Sequence, residues 1–377
     1  MNKKLLPTMV GAILTGGMAA AHADVTVFGQ IDESINRIDD SFGDSDTSLI
    51  CTTCSLGFKG SEDLGNGLKA IFKLDFQYNI NQRNPKKTNS VVTTGGSTIS
   101  LNTSVETQSS ITDRDQWVGL AGNFGQVTVG TMSTVYKSQG AKLDPVYRTV
   151  AQQRDVGIQS ALHAGAGANG QGRAENTFRY DSPSWNGLSG SATYTLNQDD
   201  VNSGDNGYSA GLAYENGGIL VQAAYLTNDR GGDNNAAALG AKYTLNNFSV
   251  FGQYEWDGGL ITDVRRGTLG RGTNGDGANQ WMLGGTYTMG NNMITASYAQ
   301  GKELDTKGTN GNPNAGNPRP LGADDYTSWE IVGIHNMSKR TFVYGGFVMI
   351  DPDDDKKYSS GRVDDTKHFT AGVRHSF

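Results

Sequence analysis

Hydrophobic and polar residues alternate along most of the chain after residue 23. In the segment 366–377 one face carries Phe369, Ala371, Val373, His375 and Phe377, and the other carries His368, Thr370, Gly372, Arg374 and Ser376. In the segment 67–79 the apolar face carries Leu68, Ala70, Phe72, Leu74, Phe76 and Tyr78, opposite Lys69, Lys73, Asp75 and Gln77. Because successive side chains of a strand point to opposite faces, each segment predicts a β-strand that is apolar on one side and wet on the other.

The same alternation recurs in sixteen segments, and the connections between them are alternately short and long. The segments are 24–37, 51–60, 67–79, 114–122, 126–133, 176–182, 187–197, 207–214, 218–228, 236–245, 247–257, 279–288, 292–300, 326–336, 340–350 and 366–377. The short connections are 61–66, 123–125, 183–186, 215–217, 246, 289–291 and 337–339. The long connections are 38–50, 80–113, 134–175, 198–206, 229–235, 258–278, 301–325 and 351–365.

This arrangement predicts an all-β fold, a sixteen-stranded antiparallel transmembrane β-barrel with short periplasmic turns and long external loops. A ten-residue strand that rises ~3.4 Å per residue and tilts by ~40° spans roughly 26 Å, the height of the apolar band of such barrels. Closure pairs every backbone group in lipid and leaves no free edge. The alternative, a soluble antiparallel sandwich, is disfavoured because the polar connections supply no second layer to cover the apolar faces.

The first 23 residues differ from the rest. Asn2, Lys3 and Lys4 form a basic start, an apolar stretch follows, and Ala21-His22-Ala23 is a small-x-small ending. This pattern predicts a secretory signal peptide over 1–23, cleaved before Asp24, and a barrel over 24–377. The alternative is a buried N-terminal helix, which Pro7 and three glycines disfavour. After residue 23 there is no run of 18 or more apolar residues, so the sequence predicts no transmembrane helix there.

Composition and charge narrow the function. Proline is scarce at 8 residues, glycine is abundant at 52, and the low mean hydropathy fits strands with one polar face. Without Lys3 and Lys4 the chain has 29 basic and 38 acidic residues, a net charge of −9. This acidic balance argues against nucleic-acid binding, which requires a basic surface.

Several stretches resemble a known family. They are Val25–Asp32 (VTVFGQID), Ser55–Ala70 (SLGFKGSEDLGNGLKA), Val118–Leu120 (VGL), Phe124–Gly130 (FGQVTVG), Arg179–Pro183 (RYDSP), Met337–Thr341 (MSKRT) and the terminal Phe377. Together they resemble Gram-negative general diffusion porins of the β-proteobacterial and neisserial type over essentially the whole chain after residue 23.

The resemblance implies a homotrimer in the outer membrane, in contact with its lipid and lipopolysaccharide. Each barrel would form a water-filled channel for passive diffusion of ions and small hydrophilic solutes. The terminal strand ending in Phe377 would be recognised by the barrel-assembly machinery. No cofactor and no enzymatic activity are implied.

The resemblance also implies that the third long connection, 134–175, folds inward and narrows the pore. It is the longest of the eight connections. A wide lumen becomes selective where charged groups lie close to the ion path. We expect Asp144 and Asp155 of this loop to face basic wall residues. The remaining candidate constriction residues are Arg148 and Arg154 on the loop, Lys59, Lys73, Arg179 and Arg374 on the wall by parity, and Arg114 by resemblance. The alternative for each residue is a solvated loop or rim charge.

Two positions depart from the family. Ser55 and Thr131 stand where family members often have arginines that contribute to a basic constriction wall. We therefore expect a weakly selective or cation-leaning pore.

Cys51 and Cys54 have the spacing of a redox motif, but no helical pattern follows them. Export favours a disulfide. In an extended strand the two Cα atoms would be about 10 Å apart, beyond the roughly 7 Å that a disulfide spans. A disulfide therefore requires a turn at Thr52-Thr53, which would place the pair at the loop tip before the second strand.

Other motifs carry little chemistry. The stretch 165–170 matches a dinucleotide fingerprint, but it lies in a polar connection and not between a strand and a helix. The acidic stretches 39–46 and 351–355 fit no EF-hand, and the histidines have no metal-ligand spacing. The sequence leaves an outer-membrane barrel enzyme or adhesin as the alternative function. A periplasmic binding protein is disfavoured because such proteins alternate helices with strands.

Overall fold

The computed structural model describes residues 24–39, 45–81, 92–94, 97–99, 111–163, 173–196, 206–229, 235–261, 279–301, 326–352 and 366–377. The predicted signal peptide 1–23, the glycine-rich stretch 165–170 and residues 353–355 lie outside these ranges. No helix in the described part of the chain is long and apolar enough to cross a membrane.

The described residues form strands almost throughout, with one α-helix, α1 (Val135–Leu143), and a 3₁₀ turn (Ala161–His163). The strands are β1 (Asp24–Asp39), β2 (Ser45–Cys51), β3 (Ser55–Gly65), β4 (Leu68–Tyr78), β5 (Val92–Thr94), β6 (Ser97–Ile99), β7 (Ile111–Gly122), β8 (Gly125–Ser133), β9 (Arg173–Asp181), β10 (Leu188–Thr195), β11 (Gly207–Asn216), β12 (Ile219–Asn228), β13 (Asn235–Leu245), β14 (Phe248–Gly258), β15 (Gln280–Met289), β16 (Asn292–Gly301), β17 (Tyr326–Asn336), β18 (Thr341–Pro352) and β19 (Thr366–Ser376).

The strands close into an antiparallel barrel. Each wall strand pairs with its neighbours in sequence, and β1 pairs with β19 to complete the ring. Both β2 and β3 lie along β1, so they are two parts of one wall strand interrupted at residues 52–54. Counted in this way, the described residues form sixteen wall strands, and the predicted fold is confirmed. Strands β5 and β6 form a separate hairpin.

The two faces of the wall follow the predicted alternation. Gln30, Asp32, Ser34 and Asn36 of β1 are buried toward the lumen, and Ile35 between them is exposed on the outer face. The outer face carries large apolar side chains around the whole ring, among them Val25, Phe58, Val118, Leu212, Phe248, Leu283, Ile331 and Phe369. This apolar surface matches a lipid-facing band.

Several elements lie inside predicted connections, among them β2, the β5–β6 hairpin and α1. Strand β2 begins at Ser45, inside the predicted connection 38–50. Residues 45–48 are all polar in the sequence, so alternation of apolar and polar residues does not reveal a strand there. Helix α1 lies inside the predicted connection 134–175. Thr134 caps it, since its hydroxyl oxygen accepts a hydrogen bond from the Lys137 amide.

Candidate functional site

The loop that contains α1 and continues to His163 lies against the lumen side of β11–β18. Loop residues and wall residues share one buried apolar cluster, which includes Leu143, Val146, Val156, Ile158, Leu220, Phe251, Met282, Val332 and Val348. A second cluster joins Tyr136 and Leu162 to β12 and β13. We call the lumen side of β11–β18 the covered half of the lumen. Burial of these side chains holds the loop to the wall.

A buried carboxylate of the covered half fixes both ends of the loop. Glu255 of β14 accepts hydrogen bonds from the Tyr136 hydroxyl at 2.7 Å and from the Ser160 hydroxyl at 2.7 Å. The Ser160 amide and His163 Nε2 also lie within hydrogen-bond distance of it, at 3.0 and 3.1 Å. Because α1 and the 3₁₀ turn both contact this one side chain, Glu255 closes the base of the loop.

Further polar contacts continue along the covered half. Ser328 donates to the Val156 carbonyl at 2.6 Å, and Gln280 donates to the Ile158 carbonyl at 2.7 Å. Gln153 donates to Glu330 of β17 at 3.2 Å. The first two bonds satisfy loop carbonyls that would otherwise be buried without partners.

Asp144 lies inside the loop and does not face a basic wall residue, so that expectation is wrong. Its side chain is 6% exposed and accepts hydrogen bonds from the Val146 amide at 2.9 Å and the Gln153 amide at 3.0 Å. Burial raises the pKa of Asp144 to about 7, although the two amides and nearby Arg154 act in the opposite direction. Asp144 therefore shapes the loop and folds it back on itself.

The other candidate loop residues lie at or near the loop tip, which Tyr147 and Arg148 form. Arg154 is buried and donates to Gln152 and to the His163 carbonyl at 3.1 Å, with its guanidinium 4.7 Å from the Tyr147 ring. Asp155 is half-buried and accepts a hydrogen bond from Gln152 of the same loop. Arg148 is half-buried and has a φ of 68°, a left-handed conformation that costs a non-glycine residue about 1–2 kcal/mol.

The opposite wall is rich in charge. We call the lumen side of β3, β4 and β7–β9 the open half. Lys73 lies 3.0 Å from Asp115, and Arg114 lies 3.2 Å from Asp75. Arg173 lies 2.8 Å from Asp115, so that this carboxylate joins two cations. Opposite charges thus alternate across β4, β7 and β9, with β8 lying between the last two.

A β-bulge creates this cluster. The register pairs Leu74 with Gln116 and Phe76 with Asp113, so Asp75 faces both Arg114 and Asp115. Two consecutive residues of β7 therefore both reach lumen-facing residues of β4, Arg114 reaching Asp75 and Asp115 reaching Lys73, which strict alternation forbids. Bulges commonly re-aim side chains next to functional sites.

The remaining wall candidates also lie on the lumen side. Arg179 pairs with Asp181 at 2.8 Å and donates to Ser138 of α1 at 3.2 Å. Arg374 pairs with Asp32 at 2.7 Å across the seam between β1 and β19, and it donates to the Tyr147 carbonyl at 3.1 Å.

Lys59 and Lys73 pair in register, and each ammonium lies 5.6 Å from the Phe28 ring. The structure thus brings the wall candidates to the lumen by parity, and their action on permeating ions stays a prediction.

Parity alone does not identify several partners of these residues. Asp75 was visible as a polar-face residue, but nothing local marked it as the partner of Arg114. Asp115 requires the bulge, and Arg173 precedes the predicted start of its strand. Glu255 and Asp32 meet their partners only in the closed barrel.

The two departures from the family occupy different places. Ser55 is buried and pairs with Gln30 across the ladder. Thr131 pairs with Gln116, next to the bulge of β7. The described wall cations on the lumen side include Lys59, Lys73, Arg114, Arg173, Arg179 and Arg374, and most of them have an acidic partner.

Cys51 and Cys54 are joined by a disulfide, with their Cα atoms 5.8 Å apart. The chain turns at Thr52-Thr53, but the pair does not lie at a loop tip. It lies within the wall, between β2 and β3, because both strands pair with the uninterrupted β1. Glu33, Cys51 and Cys54 form the one cluster of potential metal ligands among the described residues, but the two cysteine sulfurs are already bonded to each other.

Comparison with known proteins identifies similar chains. The family model for Gram-negative porins matches residues 8–355. The major outer membrane protein P.IB of Neisseria meningitidis serogroup A is 30% identical over 233 residues, which cover 59% of this chain and 58% of that protein. The match thus spans less than two thirds of the length of this curated relative.

Two solved structures share the fold. An anion-selective porin from Comamonas acidovorans has a TM-score of 0.68 at 22% identity, and the match covers 94% of this chain and 100% of that one. OmpT of Vibrio cholerae in a trimer form has a TM-score of 0.62 at 13% identity, and the match covers 94% of this chain and 99% of that one.

Proposed function

The chain belongs to the Gram-negative porin family, and from this premise we propose that it forms a water-filled pore in the outer membrane. The proposed activity is passive diffusion of ions and small hydrophilic solutes. One observation carries the proposal: the barrel has an apolar outer face and a polar lumen, and a loop against one side of the lumen leaves a charged wall on the other. Ions and small solutes can cross such a lumen in water, and the charges on its wall bias which ions pass more readily.

The proposal includes a homotrimer with one pore in each barrel. Its support is the trimer form of the Vibrio cholerae neighbour and the family itself. It also includes cleavage of residues 1–23 before Asp24 on export. N-terminal sequencing of the membrane-inserted protein tests the cleavage site, and Asp24 is the expected first residue.

We propose that selectivity is weak. Lys73, Arg114 and Arg173 each lie within an ion pair, as do Arg179 and Arg374, so opposite charges largely cancel along the wall. The Comamonas acidovorans neighbour is described as anion-selective, and this chain has Ser55 and Thr131 where we expected family arginines. A reversal potential that shows clear chloride preference in a salt gradient would overturn this part of the proposal.

The experiment for the whole proposal is insertion of the detergent-solubilised full chain into a planar bilayer. Conductance steps that appear and close in groups of three support a trimeric pore. A bilayer that stays silent while the protein is folded and inserted would overturn the pore and favour the barrel enzyme or adhesin.

A further inference from the structure

The bend at the disulfide has an unusual register. Gln30 of β1 pairs with Ser55, and Glu33 pairs with Cys51. Two residues of β1 therefore face the three residues 52–54, and the extra residue forces the second wall strand out of its ladder. The disulfide joins the residues on either side of this bend, so it fixes the width of the interruption.

The bend directs one side chain to the loop tip. Thr53 is 4% exposed, and its hydroxyl donates to the Arg148 carbonyl at 2.8 Å. Gln30 donates to the same hydroxyl and accepts from the Arg148 guanidinium at 3.3 Å. These contacts close a ring of three residues from β1, the bend and the loop tip.

The tip needs such support. Arg148 has the left-handed φ of 68°, and a residue in this conformation persists only where its surroundings fix it. The two tip residues, Tyr147 and Arg148, contact β1, the bend and β19, while Val146 beside them packs in the apolar cluster of the covered half. Polar contacts with the seam therefore act together with this packing to determine how far the loop extends across the lumen.

We propose that the Cys51–Cys54 disulfide positions the loop tip of the pore by holding the bend that presents Thr53 to the Arg148 carbonyl. The inference rests on the proposed function, because it assigns the disulfide to the geometry of that pore. Thr53 is the positioning residue, and the disulfide acts through it.

Single-channel recording of the full chain with Thr53→Val tests the inference. Valine keeps the shape and removes the hydroxyl. A net hydrogen bond of about 1 kcal/mol predicts that the tip spends about fivefold more time displaced, seen as excess open-channel current noise and added substates. Thr53→Ser keeps a hydroxyl and should restore quiet openings. Thr52→Val is the matched control, because the Thr52 hydroxyl has no hydrogen-bond partner among the described residues.

The disulfide is tested by replacing both cysteines with alanine. This double variant should show the same excess current noise as Thr53→Val. The triple variant, which combines Thr53→Val with both cysteine replacements, should show no more noise than the double variant or Thr53→Val. Noise equal to the wild type in Thr53→Val, or in the cysteine-free variant, would overturn the inference, as would additive noise in the triple variant. If the cysteine-free chain does not insert, Thr53→Val against Thr53→Ser still decides. A silent wild type instead contradicts the proposed pore.

Discussion

The covered half and the open half of the lumen are built from different side chains on the same kind of strand. The covered half presents Leu220, Phe251 and Met282 toward the loop, and its carboxylates Glu255 and Glu330 are buried against the loop. The open half presents ion pairs such as Arg114 with Asp75. The barrel thus uses apolar lumen residues where the wall must hold a loop, and charges where water and ions have room.

The polarity of the lumen-facing side chains therefore differs from strand to strand within one barrel. Alternation determines only which residues point toward the lumen. The partner of each residue determines whether it anchors the loop or lines the pore. If this division is correct, changes in the covered half alter the loop, and changes in the open half alter selectivity.

The largest expected effect is loss of the covered-half anchor. Glu255→Ala leaves Tyr136, Ser160 and His163 without their shared acceptor, and removal of a buried charged partner costs about 3–5 kcal/mol. We expect a loosened loop, with higher mean conductance and unstable openings in bilayer recordings. Glu215→Ala, at a carboxylate that is mainly exposed, is the control and should leave the traces unchanged. Unaltered traces in Glu255→Ala would contradict the anchoring role.

A smaller effect should follow pH. The folded pKa of Asp144 is about 7, above its usual 3.8, so the folded loop binds more protons than the released loop between these values. Its stability is therefore greatest at low pH and falls by about 2 kcal/mol from pH 5 to pH 7.

Hydrogen exchange of the Val146 and Gln153 amides, corrected for intrinsic rate, measures this change. Asp144→Asn should flatten the dependence, and Asp155→Asn should retain it. A dependence that persists in Asp144→Asn would assign it to another group.

Charge changes should separate the two halves. Arg114→Gln should move the reversal potential toward cations, and Asp75→Asn should move it toward anions. One unit charge at ~7 Å in water changes the energy of an ion by about 0.6 kcal/mol, roughly 2.7-fold in its permeability and in opposite directions for cations and anions. Glu330→Gln in the covered half is the control and should leave the ratio unchanged, because Glu330 is buried beneath the loop. An equal shift in this control would break the comparison.

The smallest effect is expected at Lys59. Its side chain is exposed, so water and salt screen its charge. Lys59→Met should shift the permeability ratio toward cations by less than the Arg114 change, and the shift should vanish in concentrated salt. A salt-independent shift would place Lys59 in a narrower part of the pore.

The strands were predictable because alternation is a local property of each segment. Parity also placed Lys73, Arg179 and Arg374 on the lumen side. The structural elements that depend on an extra residue were not predictable: Asp115 is brought to Lys73 by a bulge, and Cys51 and Cys54 lie in the wall because β2 continues before them.

Asp144 shows the same limit within the loop. Its sequence neighbours indicate a charged, solvated loop, but its carboxylate accepts backbone amides in a turn that exists only once the loop is packed. Burial depends on the complete fold, and so does the division between anchors and lining residues.

The loop rests on strands that lie far from it in sequence. Gln153 and Glu330 are 177 positions apart, and Arg374 closes the seam with Asp32 across 342 positions. Contacts between such distant residues form late in folding, because the intervening chain must first be ordered. The loop docks on β11–β18, so its complete wall exists only after all of these strands have formed. The lumen therefore reaches its final width only when the loop has docked on these strands.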